Sequence, residues 1–137
     1  MAEENATCMY LIDEPFAKAL KRMRTALAEA NLRIAGEIDL SFRIRRTLLM
    51  NIPPCTVLLA LPSRHITGEL ASDPRGAALT PLHVVVSARG ARTEVHFLKA
   101  RPQLDAFLEQ PLLATVEQLQ RALSQTLEKI GMCSLGA

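Results

Sequence analysis

The chain has no tryptophan, one tyrosine and four phenylalanines in 137 residues, so its core has to be built from aliphatic side chains. No uninterrupted apolar run exceeds five residues, as in VLLAL from Val57 to Leu61, whereas a helix that crosses a bilayer takes roughly 20. A membrane-crossing helix is excluded, and no membrane partner is expected. Cysteine is scarce as well. Cys8, Cys55 and Cys133 are odd in number and far apart, in a spacing that suits neither a zinc site nor a redox pair. Buried free thiols are expected, with Cys133 near the tail the most accessible. An excess of one charge is also missing, since 16 basic residues face 14 acidic ones. Up to Arg46, eight basic and seven acidic residues interleave, which describes a solvated surface and not a phosphate-neutralising face. Nucleic acid is therefore not an expected partner. The first residues, MAEENATC, are acidic and hold no basic region followed by an apolar one, so no export signal is visible and a cytoplasmic protein is expected.

What is present is a globular composition. The chain is 49% apolar and 22% charged, too hydrophobic for disorder. No repeat, low-complexity tract or Gly/Ser-rich linker divides it. Its length suits one domain that buries roughly two thirds of the unfolded surface. A single domain over 1–137 is expected, with a core at about 8–131 and tails at 1–7 and 132–137.

CMYLI (Cys8 to Ile12) reads as a short strand. In DEPFAKALKRMRTALAEAN, Asp13 or Glu14 is placed to cap, Pro15 suits a first turn, and Phe16, Leu20, Met23, Leu27 and Ala30 recur at helical spacing. Lys18, Lys21, Arg22 and Glu29 fall on the wet side. From Leu32 apolar and polar residues alternate through Ile44, which is the period of a half-buried strand. A strand continuing to Met50 is improbably long. Asp39 or Ser41 is placed to cap a short helix on which Leu40, Ile44 and Leu48 share a face. Pro53 and Pro54 mark the next turn. CTVLLA is apolar on both faces, as in an interior strand covered on each side. A further short helix is expected after Pro62, carrying Ile66 and Leu70, and SDPRG (Ser72 to Gly76) is turn chemistry.

LHVVVSARGARTEVHFL predicts a hairpin turning at Arg89 and Gly90. That turn pairs Val86 with Thr93, Val84 with Val95 and His83 with His96. Leu82, Val84, Val86, Val95 and Phe97 then make an apolar face, and His83, Val85, Ser87, Arg92, Glu94 and His96 the other. A short helix from Gln103 to Glu109 precedes a long one begun by Pro111, with an apolar stripe of Leu112, Val116, Leu119, Leu123, Leu127 and Ile130 closed by Lys129 and Gly131. The fold class is α+β: a mainly antiparallel sheet of about five strands with two long helices on one face, plus short helices after Asp39 and Pro62.

Four segments, FAKALKRMRTALAEANLRIAGEIDLSFRIRRTLL, VLLALP, SDPRGAALTPLHVVV and QPLLATVEQLQRAL, resemble in that order the family designated domain of unknown function 302, over Phe16 to Ile130. The resemblance implies a fold similar to that of the TATA-box-binding protein, with one strand, a helix, four strands and a final helix, commonly in homodimers. It assigns no activity. Members often carry cysteines at the positions matching Ala60 and Leu82, which this chain lacks, so thiol chemistry in relatives does not transfer.

His83 and His96 are the first chemical candidates. Directly opposed residues lie about 5 Å apart at Cβ, close enough for two imidazoles to share a metal ion, but structural zinc or copper needs more donors. Only His65, Glu94 or a dimer mate would supply them. Two surface or interface histidines are the expectation, and neither metal nor cofactor is assigned. Arg43, Arg45 and Arg46 come second, because guanidinium forks suit carboxylate or phosphate. With Glu37 and Asp39 near in sequence, salt-bridged surface is expected there. Phosphate loops, dinucleotide turns, nucleophile elbows and activated cysteines are missing. The expected function is thus a non-catalytic, homodimeric binding or assembly module, contacting partners through the exposed hairpin face and the strand edge beside it. The alternative is a small-ligand receptor or enzyme with an apolar cavity between the C-terminal helix and the sheet, into which Arg43, His65, His83 or His96 points.

Overall fold

Two β-strands and two helices follow one another before the first proline pair. The computed structural model describes residues 7–62, 82–98 and 110–134, and their side chains within 8–62, 82–97 and 117–131. The helix expected after Pro62, the SDPRG turn, the helix from Gln103 and His65 lie outside the described residues. Strand β1 (Thr7–Ile12) leads into helix α1 (Phe16–Glu29). Its N-cap is Pro15, with no side-chain cap, so neither Asp13 nor Glu14 plays the expected part. Glu14 instead pairs with Arg22 at 3.1 Å, while its carbonyl accepts from the buried Thr93 hydroxyl at 2.9 Å. Asp13 pairs with Arg92 at 3.4 Å. Ala19, Leu20, Met23 and Leu27 form the buried face of α1. The helix ends as Asn31 takes the left-handed conformation at φ 62, which Asn tolerates better than most residues. Leu32 N–H then donates back to the Leu27 carbonyl at 2.9 Å.

Strand β2 (Arg33–Asp39) passes directly into helix α2 (Leu40–Leu48). Of the two possible caps, Asp39 serves: its carboxylate accepts from Phe42 N–H at 2.9 Å and from the Ser41 hydroxyl at 2.6 Å. The Ser41 Oγ also accepts from Cys55 N–H at 3.2 Å, tying α2 to strand β3 (Cys55–Leu61). The hairpin strands are β4 (Leu82–Arg89) and β5 (Arg92–Leu98). Helix α3 (Gln110–Ile130) follows, then a three-residue strand β6 (Met132–Ser134). All pairings are antiparallel, in the order β2-β3-β4-β5-β1-β6. The sheet therefore has six strands, because residues expected as a tail pair with β1.

The expected hairpin register is corrected by two residues. Arg89 pairs with Arg92, Val86 with Val95 and Val84 with Phe97, leaving Gly90 and Ala91 as the turn. Gly90 has φ 60, and a tight hairpin needs that positive φ at its first turn position, where glycine is free of the side-chain clash. An even shift preserves facing, so the two hairpin faces are those expected.

Leu58, Ala60, Val84, Val86, Val95 and Phe97 of the inner face pack with α1 and with Leu119, Leu123 and Leu127 of α3. Tyr10 stacks near Phe97 at 6.0 Å. The core is otherwise aliphatic, as the scarcity of aromatics requires. Among the described residues no helix is long and apolar enough to cross a membrane.

Candidate functional site

With α1 and α3 on the inner face, the outer face of the sheet carries every residue that points the other way. Directly paired residues share a face, so one row across five strands can be followed: Ile38 beside Val57, Val57 beside Val85, Val85 beside His96, and His96 beside Met9. A second row runs Cys55, Ser87, Glu94 and Leu11. Leu59 and His83 form part of a third. Val57 is buried, His83 is exposed, and the others in these rows are half-buried. The apolar outward positions Ile38, Val57, Leu59, Val85, Met9 and Leu11 surround a small polar centre.

Glu94 organises that centre. One carboxylate oxygen lies 3.1 Å from His96 Nε2, and the other accepts from Arg89 Nη1 at 2.6 Å. The His96 hydrogen bond, and then Arg89, hold the Glu94 carboxyl below its ordinary range. Beside it, desolvation pushes the Cys55 thiol up, against a smaller opposing effect of its hydrogen bond to Ser87. A raised thiol is a poor nucleophile at neutral pH. Cys8 and Cys55 are half-buried rather than fully buried; the Cys133 side chain lies outside the described residues.

His83 and His96 do share the outer face, but the corrected register sets Val85 opposite His96. The imidazoles are diagonal neighbours, whose backbone separation is roughly 7–8 Å. The directly opposed pair expected for a metal is therefore not formed. Among the described residues no group of three or more His, Cys, Asp and Glu side chains is arranged to hold a metal ion. Arg43 lies exposed on α2, a different element from the histidines. The salt bridges expected for Arg43, Arg45 and Arg46 do not form among the described residues. Glu37 is taken by Arg24 through two contacts of 2.7 and 2.8 Å, and Asp39 caps α2.

Between the last helix and the sheet, among the described residues, Leu123 and Leu127 are wholly buried and belong to the core. The described residues do line a groove of about 500 Å³ at the end of α1, formed by Arg24, Ala28, Asn31, Leu32, Arg33 and Ile34. A smaller one of about 120 Å³ lies between α1 and α3. Sequence reasoning missed the first because it depends on where β2 leaves the helix. Ala60 and Leu82, the positions where the resemblance implied cysteines in other members, are direct partners across β3 and β4 and are both buried. Hydrocarbon fills that place here.

The lowered carboxyls predict a pH dependence. Glu37 is held down chiefly by its Arg24 hydrogen bonds, and Glu94 by His96. A depressed folded-state pKa contributes stability above the unfolded value, about 4.3 for Glu, and that contribution disappears as the pH falls through the folded value. The urea midpoint is expected to drop below about pH 4.3, with a shallower acid limb in Glu94→Gln. Equal acid limbs for the two proteins contradict this assignment.

The comparisons agree with the fold. The chain is similar to the crystal structure of an uncharacterized conserved DUF302 protein from Bacillus stearothermophilus, with a TM-score of 0.80, 10% identity, and coverage of 93% of this chain and 99% of that one. No curated protein matches the chain. The family described as "Domain of unknown function DUF302" matches residues 10–130. With that match spanning nearly all of a single six-stranded sheet and its helices, the chain belongs to the DUF302 family.

Proposed function

We propose that the protein is a non-catalytic binding or assembly module that works as a homodimer, with the outer sheet face as the contact between two copies. The observation that carries this reading is the apolar outward row Ile38, Val57, Val85 and Met9. An antiparallel sheet with one wet face ordinarily alternates apolar inward with polar outward. Here the outward positions are too apolar for water alone. Strands about 4.8 Å apart and about 3.4 Å per residue give the face roughly 600 Å² per copy. Two such faces reach the lower end of a standard interface. The Arg89, Glu94 and His96 group would add directed polar contacts at its centre.

Size-exclusion chromatography with light scattering is expected to give twice the chain mass of 15.0 kDa. Val85→Arg places two charges in the middle of a two-fold contact, because the same patch lies on both copies. It is expected to weaken association by about a hundredfold or more, with the circular dichroism spectrum unchanged. A monomeric parent, or a Val85→Arg protein as dimeric as its parent, overturns the proposal.

A further inference from the structure

The four large apolar side chains that stand exposed among the described residues fall in one short stretch: Phe42, Leu48, Leu49 and Met50, at 51%, 60%, 89% and 56%. They sit on α2 and the turn after it, where every residue from Arg45 to Asn51 is exposed. The patch is therefore open to solvent along its whole length. Leu49 has φ 55 and ψ 28, a left-handed conformation that costs a non-glycine residue about 1–2 kcal/mol. Leu49 is the C-cap of α2, its N–H donating to the Arg45 carbonyl at 3.0 Å, and it is the most exposed of these bulky side chains.

Charge selects the occupant. Arg43, Arg45 and Arg46 flank the apolar tip, and no acidic residue occurs from Leu40 through Pro62. Arg46 lies over the Phe42 ring at 5.8 Å. The nearest carboxylate in sequence, Asp39, faces the helix start, where it holds Ser41 and Phe42 while its field reaches Arg45. A second copy docked here by a two-fold axis would set arginines against arginines. A single-stranded nucleic acid would call for stacking rings rather than three aliphatic side chains. An anionic bilayer surface meets both halves of the patch. Aliphatic side chains enter the boundary between headgroups and acyl chains, and guanidinium groups bind lipid phosphates above it.

We infer that α2 and the Leu49–Met50 tip form a peripheral docking site for anionic phospholipid, a partner that composition and overall charge do not suggest. The attachment is weak and reversible, since it rests on a few side chains and three charges. Flotation of the full chain with vesicles of phosphatidylcholine, with and without roughly one lipid in three replaced by phosphatidylglycerol, tests it. Binding is expected only to the anionic vesicles, and to fall with added salt. The double variant Arg45→Gln, Arg46→Gln is expected to lower the partition coefficient about 25-fold, or about fivefold per arginine. Leu49→Asn, which tolerates the left-handed backbone, is expected to lower it about tenfold. These positions are exposed, so the circular dichroism spectrum should not change. Because the chain has no tryptophan, Met50→Trp provides a single fluorophore whose emission should shift to the blue on anionic vesicles. No flotation, flotation indifferent to Leu49→Asn or to the arginine pair, or an unshifted Trp emission overturns the inference. So does tighter retention on polyglutamate or DNA than on the vesicles.

Discussion

Leu58→Ala is expected to lower the unfolding free energy by about 3 kcal/mol, within the 2–5 kcal/mol found when a wholly buried leucine is truncated. Leu58 has no exposed surface. It sits mid-way along β3, with Glu37 on one side and Val84 on the other, and belongs to the cluster shared with α1 and α3. β3 itself is held by backbone hydrogen bonds to β2 on one side and β4 on the other, so it cannot shift freely into the space left behind. Urea denaturation followed by circular dichroism measures the loss. Val57→Ala one residue earlier should cost less, since it removes fewer buried carbons than Leu58→Ala. A loss under 1 kcal/mol for Leu58→Ala would mean that the inner face is not the main core.

Gly131→Ala is the second large effect, expected to cost about 2 kcal/mol. A Cβ there would stand 2.8 Å from the Leu11 carbonyl oxygen and 3.2 Å from Ile12 Cγ1. The first of these is backbone of β1, which is itself paired with β5 and β6. Relief requires the end of α3 to move away from the sheet. Two other glycines serve as controls. Gly90 has open space around it but φ +60, so alanine there costs about 1–2 kcal/mol of backbone strain and no packing. At Gly36 a Cβ would meet Leu59 Cδ1 at 3.6 Å, an ordinary contact. Thermal unfolding of the three alanine variants should rank Gly131 as most damaging and Gly36 as least. Gly131→Ala as stable as the parent would refute the close seat of α3 on β1.

Much of the fold was legible because its signals are local. The 3.6-residue spacing of Leu20, Met23 and Leu27 produced the buried face of α1, and the capping chemistry of Asp39 stopped β2 where alternation alone would have continued it. The apolar runs in β3 and β4 marked strands buried on the inner side. The candidate site was less legible. His83 and His96 were assigned to the correct face, yet their opposition depended on which residues turned the hairpin, and Gly90 moved it by two. Arg43 and its neighbours looked neutralised by Glu37 and Asp39, but a carboxylate near in sequence can be taken by a guanidinium far along the chain, as Arg24 takes Glu37. The exposed tip at Leu49 carried no sequence signal, since a leucine after an amphipathic helix ordinarily turns inward.

By itself the sequence determined the aliphatic core and, among the described residues from β1 to α3, the kinds of element and their order, because each depends on residue type and on spacing within one turn or one strand. Only the tertiary structure decided that β6 closes the sheet beside β1, that Glu94 links Arg89 and His96, and that Phe42, Leu48, Leu49 and Met50 remain exposed beside arginines that form no salt bridge among the described residues. Those outcomes depend on which distant segments compete for the same surface or partner, and that competition is resolved only when the whole chain has packed.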